Sequence, residues 1–379
     1  MHQSISNFLQ SRIDAGDFPS AVYLVAEKGE IKFHDALGHA VVEPETVEAK
    51  LDTIYDLASL TKPLVTGLLL AKFLEGDDHY SVDTPLHKLF RQLKSQPIGE
   101  STVRDMVSHT SGVRDWYPLY SVFCDPRDRY AAAVATALEL PLVYEPRSKV
   151  VYSDLNFIIL AEVLANSVGG GSGSLSEAFE VGVCKPLSLA ATYFRPGLEN
   201  KPRIAASESG NQYEQQTCID KYPEIRTPHF AFRTQTIWGE VHDGNAYFMG
   251  GVAGHAGLFS TAEEVFKIAQ QFLPNYTQLL KPKTCELFRT NFTKGMNEDR
   301  SFAFQLASTE GSTAGTKMSP ESFGHNGFTG TSLWIDPTNE RVFVLLTNRT
   351  HNHPLPFVNI NSVRRDFHDI AIDLLDEDI

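Results

Sequence analysis

The stretch DLASLTKPLV, residues 56 to 65, places a serine and a lysine three positions apart, with a proline directly after the lysine. If this stretch is helical, Ser59 and Lys62 share one face, because residues three apart on a helix are neighbours. Pro63 suits the first turn of a helix, where its missing N–H costs little. The pattern therefore predicts a helix start that holds a hydroxyl and an amine side by side.

Two interpretations of this pair are open. A serine hydroxyl is a weak nucleophile that needs a neighbouring group to accept its proton, and Lys62 is within reach of Ser59. At a helix start the Ser59 amide would also be free to form half of an oxyanion hole. Alternatively, Ser59 is an ordinary helix cap and Lys62 a solvated charge. No other serine in the chain has a lysine three residues later.

A second motif, VVYSDLNF at residues 150 to 157, places Tyr152 two positions before Asp154 at the start of an apolar helical segment. A phenol held close to a cationic lysine is stabilised as phenolate and can exchange protons with a serine. The alternative is a half-buried tyrosine ahead of a helix cap at Ser153 or Asp154. On its own, this motif is compatible with both.

A third motif, FGHNGFTGTSLWIDP at residues 323 to 337, has three glycines within seven positions of a strand-like stretch. Glycine weakens a strand and usually marks a bulge or a close approach to the backbone. A strand edge here could pair with a substrate amide and donate a second oxyanion N–H. The alternative is a tight hairpin.

Strand patterns occur at both ends of the chain and helical patterns occur between them. AVYLVAEKGEIKFHDALGHAV predicts a hairpin that turns at Lys28-Gly29, and FAFQLA, TSLWID and RVFVLLTN predict late strands. Helical periodicity marks residues 59–75, 102–109, 128–139, 154–167, 174–183 and about 359–376. These patterns predict an α+β fold, with an antiparallel sheet built from N- and C-terminal segments and a helical region inserted. We expect one domain over residues 1–379, with the sheet part at about 1–60 and 290–379 and a mostly helical part at about 61–289.

Composition excludes several classes of function. The formal charge of −14 disfavours nucleic acid as a partner. No apolar run reaches the roughly 18 residues of a membrane span, and the N-terminus lacks the pattern of a signal peptide, so a cytoplasmic location without a membrane span is expected. The four cysteines form no Cys-x-x-Cys pair, which predicts free, buried thiols.

The sequence does not call for a metal or another cofactor. Five histidines stand in notable blocks, but their spacing matches no helix-borne ligand pair and no carboxylate cluster accompanies them, so we expect structural roles: His109, His242, His255, His351 and His353. The glycine-rich stretch 167–176 lacks the Gly-Lys-Ser/Thr ending of a phosphate-binding loop and predicts a flexible connector.

Taken in order, Ser-x-x-Lys, Tyr-Ser-Asp and His-Asn-Gly resemble the motifs of the serine β-lactamase and penicillin-binding protein superfamily. The tyrosine is similar to that of the class C branch, which includes D-alanyl-D-alanine carboxypeptidases and esterases. MVSHTSGV at 106–113, GEVHDGNAYFMGGVAGHAGLFSTAEEV at 239–265 and GFTGTSLWIDP are also typical of this branch. The resemblance covers nearly the whole chain.

The resemblance implies an antiparallel sheet flanked by helices beside a helical region, with the active site between them. It implies Ser59 as nucleophile, Lys62 as its partner and Tyr152 as general base or acid. The backbone N–H groups of Ser59 and Phe328 would form the oxyanion hole.

Substrate-binding positions depart from the class C pattern. Asp154 replaces the asparagine that contacts the side-chain amide of a β-lactam. His325 replaces the lysine of Lys-Thr-Gly, and Asn326 replaces its Thr or Ser, ahead of the glycine Gly327. A histidine is fully charged only part of the time at neutral pH, so the clamp on a substrate carboxylate is weakened.

The sequence therefore predicts a serine hydrolase that acts through an acyl-enzyme on an ester, a D-amino-acid amide or a β-lactam. An esterase or D-amino-acid peptidase with slow β-lactam turnover is favoured over a true β-lactamase or a D-alanyl-D-alanine carboxypeptidase. The alternative from another class is a catalytically silent binding or assembly protein, although Ser59, Lys62 and Tyr152 are all present.

Overall fold

A seven-stranded antiparallel sheet lies at the centre of the computed structural model, which describes residues 3–122, 124–167, 174–225 and 232–377. The strands of the molecule are β1 Ser20–Glu27, β2 Glu30–Val41, β3 Val47–Glu48, β4 Tyr55–Asp56, β5 Tyr193–Phe194, β6 Leu258–Ser260, β7 Gln305–Leu306, β8 Phe323–Asn326, β9 Ser332–Asp336 and β10 Arg341–Thr347. The order in the large sheet is β3-β2-β1-β10-β9-β8-β7.

The pairing of β1 with β10 joins the two ends of the chain. Ala21 lies opposite Thr347 and Glu27 opposite Arg341, in an unbroken antiparallel register. The hairpin between β1 and β2 turns at Lys28 and Gly29, which both have left-handed backbone, with φ of +50° and +81°. The predicted hairpin and the predicted sheet from N- and C-terminal segments are confirmed.

Helices cover both faces of this sheet. They are α1 Gln3–Asp14, α2 Leu68–Gly76, α3 Leu86–Leu89, α4 Val103–Val107, α5 Arg129–Glu139, α6 Asp154–Ser167, α7 Leu175–Phe179, α8 Lys185–Leu187, α9 Gln212–Lys221, α10 Gly244–Phe248, α11 Ala262–Ala269 and α12 Asn361–Glu377. The predicted helical segments correspond to α2, α4, α5, α6, α7 and α12. Among the described residues, no helix is both long and apolar enough to cross a bilayer.

The core lies on both sides of the sheet because successive strand residues point to opposite faces. Leu24 and Val344 face the helical region, whereas Tyr23 and Trp334 face α1 and α12, where Phe367 covers them. Both faces of β1 are therefore buried. The sheet is sandwiched between the terminal helices and the helical region.

Three details differ from the sequence-based expectations. The strand predicted from FAFQLA is reduced to Gln305–Leu306. A second sheet, with the order β4-β6-β5, was not predicted, because strands of two or three residues show no alternation. Cys124 is only half-buried, although the other three cysteines are buried and all four are free. Residues 168–173 of the predicted glycine-rich connector lie outside the described residues.

Candidate active site

Ser59 lies in a short 3₁₀ turn, Ala58–Leu60, that leads directly into a π-helical turn, Lys62–Gly67, and then into α2. Ala58 has left-handed backbone, with φ of +47°, which is strained for a residue with a Cβ. Its N–H donates to Asp56 Oδ1 at 2.8 Å, which holds the strained residue in place. This geometry exposes Ser59 at a bend. The predicted helix start with Pro63 in its first turn is confirmed.

The Lys62 side chain is completely buried beneath Ser59. Its ammonium donates to Ser59 Oγ at 2.9 Å and to the His255 carbonyl at 3.2 Å, and it lies 2.7 Å from Asp154 Oδ1. Burial disfavours the ammonium, but the charges of Asp154 and Tyr152 and hydrogen bonds with both outweigh it, so the pKa of Lys62 is raised. Lys62 is therefore a permanent cation at neutral pH.

Tyr152 precedes α6 and lies against this cation. Lys62 Nζ is 4.9 Å from the centre of the Tyr152 ring, and the Arg300 guanidinium is 5.4 Å from it. The rings of His109 and His325 also lie close, with centres 4.6 and 5.7 Å from that of Tyr152. Two cationic side chains and two imidazole rings therefore surround the phenol.

The hairpin of β8 and β9 is tied to the chain just before Ser59. Thr331 Oγ1 donates to the Leu57 carbonyl at 3.0 Å, and Thr329 Oγ1 donates to the Asp56 carbonyl at 2.7 Å. A Cβ on Gly327 would lie 2.6 Å from the Leu57 carbonyl oxygen. The glycine thus permits a close backbone approach, as predicted, but the approaching group is the protein's own backbone. The segment is also a hairpin, as the alternative interpretation predicted, whereas its pairing with a substrate amide stays a prediction.

Seven of the predicted site residues line one cavity of about 450 Å³: Ser59, Tyr152, Asp154, His325, Asn326, Gly327 and Phe328. Lys62 lies beneath the floor of this cavity. The structure therefore brings together residues that are up to 269 positions apart in the chain.

His325 differs electrostatically from the sequence-based expectation. Its side chain is buried, and burial, together with the nearby charges of Lys62 and Arg300, holds its pKa well below the usual value. The ring is therefore neutral at neutral pH, not partly charged. Its Nδ1 lies 2.9 Å from the Asn326 carbonyl oxygen. His325 alone supplies no positive charge for a substrate carboxylate.

Two arginines that sequence reasoning did not single out line the same cavity. Arg364, in the first turn of α12, donates to the Gly327 carbonyl at 3.1 Å, and Arg349 donates through Nε to the Phe328 carbonyl at 2.8 Å. Burial lowers the pKa of both guanidinium groups, that of Arg364 to about 9. Within the described part of the chain, neither forms an ion pair with a carboxylate. A buried arginine at a helix start is electrostatically unfavourable. Arg364 in the stretch NSVRRDF stands in this position, and this is the sequence feature that could have identified it as a site residue.

The acidic side of the cavity contains a group that could hold a metal ion. Asp154, Asp243 and His255 offer ligand atoms within 4.8 Å of one another, and His255 Nε2 lies 2.9 Å from Asp243 Oδ1. The expectation that no carboxylate cluster accompanies the histidines is wrong for His255. Folding brings Asp154, which is distant in the sequence, close to Asp243 and His255. The Lys62 ammonium already lies among these groups and provides the positive charge that they favour.

The other histidines make hydrogen bonds within the fold. His242 Nε2 lies 2.8 Å from Glu208, and its ring stacks on Phe328 at 5.4 Å. His351 accepts from the Val42 N–H at 2.8 Å, and His353 Nδ1 lies 2.7 Å from the Pro354 carbonyl. These contacts agree with the structural roles that were expected.

Comparison with known proteins places this arrangement in context. The sequence profile described as Beta-lactamase matches residues 5–364. A protein of Escherichia coli strain K12 named "Putative D-alanyl-D-alanine carboxypeptidase" is 32% identical over 375 residues, covering 92% of this chain and 82% of that protein.

Two solved structures share the fold. The octameric penicillin-binding protein homologue from Pyrococcus abyssi has a TM-score of 0.72 at 18% identity, over 98% of this chain and 77% of that one. The class C beta lactamase from Rhodobacter sphaeroides has a TM-score of 0.69 at 17% identity, over 98% of this chain and 99% of that one. The expected antiparallel-sheet fold of this superfamily is confirmed.

Proposed function

The chain belongs to the β-lactamase family, whose members are hydrolases, and from this premise we propose that it is a serine hydrolase acting through an acyl-enzyme. The observation that carries the proposal is the 2.9 Å contact between the Lys62 ammonium and Ser59 Oγ on the floor of the cavity that Tyr152 lines. A buried cation beside a hydroxyl and a phenol is an arrangement that activates a nucleophile.

The roles of the three side chains follow from their charges. Lys62 donates to Ser59 as an ammonium, so it does not serve as the proton acceptor. We assign that role to the Tyr152 oxygen, because the phenol lines the cavity beside Ser59 and lies close to the positive charges of Lys62 and Arg300. Ser59 Oγ attacks the substrate carbonyl while its proton passes to Tyr152.

The remaining steps use the same groups. The N–H groups of Ser59 and Phe328 receive the negative oxygen of the tetrahedral intermediate. Tyr152 then protonates the leaving amine, the C–N bond breaks, and an ester remains on Ser59. Water attacks this ester and Tyr152 takes its proton. The bond between the acyl carbon and Ser59 Oγ then breaks, Tyr152 passes the proton to Ser59 Oγ, and the acid product leaves.

A substrate whose leaving group carries a carboxylate fits the cavity best. Arg364 is buried and Arg349 is half-buried, and both are unpaired by carboxylates among the described residues. They donate to the carbonyls of Gly327 and Phe328, respectively. A carboxylate would offset their charge and form charge-assisted hydrogen bonds. We therefore favour a peptidase that removes a C-terminal D-amino acid over an esterase. Asp154, which lies against Lys62 in place of the class C asparagine, disfavours efficient β-lactam hydrolysis.

A pair of matched peptides tests this proposal. One ends in D-alanyl-D-alanine with a free carboxylate, and the other carries a C-terminal amide. The wild-type protein should cleave the free acid at least about tenfold faster, because a charged hydrogen bond contributes about 1.5–3 kcal/mol, and the Ser59→Ala variant should cleave neither. Equal rates on both peptides would remove the carboxylate argument, and cleavage by Ser59→Ala would remove the nucleophile.

A further inference from the structure

His109 has a backbone conformation that its side chain makes unfavourable. It follows α4 and the cap Ser108, and its φ is +62°. Glycine is the usual residue in this left-handed position after a helix, because it has no Cβ to clash. A histidine here is strained, so its side chain must contribute something that glycine cannot.

The residue holds the backbone on both sides of Tyr152. The Val151 N–H donates to the His109 carbonyl at 2.9 Å, and the Ser153 N–H donates to His109 Nδ1 at 3.0 Å. The two hydrogen bonds come from one residue and lie immediately before and after the tyrosine. They restrict the direction in which the Tyr152 side chain leaves the backbone.

The imidazole also packs on the phenol itself. The ring centres of His109 and Tyr152 are 4.6 Å apart, with an angle of 35° between the planes. His109 is completely buried, and burial, with the nearby charges of Arg300, Lys62 and His325, holds its pKa well below the usual value. Nδ1 accepts from Ser153, so the neutral ring carries its proton on Nε2.

The surrounding chain has attachments that do not depend on the imidazole. The Arg147 N–H donates to the Thr110 carbonyl at 2.7 Å, and the Val143 N–H donates to the Gly112 carbonyl at 2.8 Å. The Asp154 N–H donates to the Asp115 carbonyl at 2.9 Å. A substitution of the His109 side chain therefore leaves these backbone hydrogen bonds in place and alters mainly the orientation of Tyr152.

We propose that His109 is a positioning residue that sets the orientation of the Tyr152 phenol through one ring contact and two flanking hydrogen bonds. The inference rests on the proposed role of Tyr152 in proton transfer. His109 does not touch the substrate, and it acts on the reaction only through the tyrosine.

Two substitutions separate the contributions of the side chain. His109→Asn keeps an acceptor at the position of Nδ1 and tolerates positive φ, but it removes most of the ring. His109→Phe keeps a ring but leaves the Ser153 N–H without its acceptor. Both variants are compared with Tyr152→Phe and with the double variants, by measuring kcat and KM on the D-alanyl-D-alanine peptide. Thermal unfolding identifies any variant that does not fold.

We expect His109→Phe to lower kcat about a hundredfold with KM changed less than about threefold, because misplacing a reacting group by about 1 Å has this effect. His109→Asn should recover about tenfold of that loss. In the Tyr152→Phe background neither substitution should lower kcat further, because residues that act as one unit are not additive.

Three outcomes would overturn this inference. The first is a kcat of His109→Phe within about threefold of wild type, and the second is a full further loss in the Tyr152→Phe background. If His109→Phe does not fold, the same double-mutant cycle is measured with His109→Asn. The third contradicting outcome is that the effects of His109→Asn and Tyr152→Phe on kcat are fully additive. A fully active Tyr152→Phe variant would instead show that the proposed mechanism itself is wrong.

Discussion

The ammonium of Lys62, which is completely buried, lies 2.7 Å from the carboxylate of Asp154, whose side chain is 19% exposed. The class C branch that the chain resembles has an asparagine at this position. The acidic residue changes the electrostatics of the site, because it keeps Lys62 charged despite burial. In the proposed mechanism the amine next to Ser59 is therefore a donor and an electrostatic stabiliser, and the phenol is the proton acceptor.

Replacing Asp154 should destabilise the protein. In Asp154→Asn the ammonium of Lys62 remains buried without its counter-charge, and breaking such a pair costs about 3 kcal/mol of the free energy of unfolding. Urea unfolding at pH 7 measures the change. The matched control is Asp83→Asn, which breaks the exposed Asp83–Arg104 pair at 2.8 Å and should cost less than about 1 kcal/mol. Equal stability of Asp154→Asn and wild type would contradict the buried ion pair.

Arg349 should determine the preference for a substrate carboxylate. In Arg349→Gln the ratio of kcat/KM for the free-acid peptide to that for its C-terminal amide should fall about tenfold to a hundredfold. Arg349→Lys, which keeps the charge, should retain most of the preference. Arg349 also donates to the Phe328 carbonyl, so its replacement can disturb the oxyanion hole. Such a disturbance affects both peptides equally and therefore cancels in the ratio of their kcat/KM values. An unchanged ratio in Arg349→Gln would show that the carboxylate binds elsewhere.

Gly327 should not tolerate a side chain. A Cβ there would lie 2.0 Å from Thr331 Oγ1 and 2.6 Å from the Leu57 carbonyl oxygen, so the backbone that carries the Phe328 N–H must shift. Loss of one oxyanion donor lowers kcat about a hundredfold or more, and we expect Gly327→Ala to do the same. Gly76→Ala is the control, since a Cβ there meets nothing within 4 Å. Full activity of Gly327→Ala would contradict the assigned oxyanion hole.

Buried neutral histidines should make the fold sensitive to acid. His368 is completely buried, and burial lowers its pKa to about 3, although Nδ1 lies 2.8 Å from the Thr313 carbonyl oxygen. Since the unfolded chain takes up a proton near pH 6.5 and the folded chain does not, the stability is present above pH 6.5 and is lost as the pH falls towards 3. Each such histidine contributes about 2 kcal/mol to the difference between pH 7 and pH 5.

The variant His368→Phe isolates this effect. Between pH 7 and pH 5, the free energy of unfolding of wild type should fall by about 2 kcal/mol more than that of His368→Phe. His79→Gln, which removes an exposed histidine, is the control for the loss of an imidazole. The same slope in all three proteins would show that His368 is not neutral in the folded state.

The sequence predicted the residues that local patterns mark and missed those that only folding brings together. Ser59, Lys62 and Tyr152 stand in short motifs whose spacing or neighbours indicate chemistry. Arg364 has no such pattern, because its backbone partners Gly327 and Thr331 lie more than 30 positions away in the chain. Asp243 has none either, because only folding brings it and His255 close to Asp154. The charge of His325 was misjudged for the same reason, since its pKa depends on burial and on nearby cations.

As with the site, the sequence predicted those parts of the fold that local patterns mark. The β-branched and aromatic runs of β1 and β10 and the turn at Lys28-Gly29 identified the sheet and its hairpin. The short strands β4, β5 and β6 could not be predicted, because two or three residues carry no period. The left-handed backbone of Ala58 and His109 is equally invisible, since neither residue type requires it.

The central claim is tested most directly by mass spectrometry of the intact protein, followed by peptide mapping. The protein is incubated with a fluorescent penicillin or a fluorophosphonate, and the reaction is quenched before the acyl-enzyme can turn over. We expect a single covalent adduct on the peptide that contains Ser59, and no adduct in Ser59→Ala under the same conditions. An adduct on any other residue, or unchanged labelling of Ser59→Ala, would contradict the assignment of Ser59 as the nucleophile.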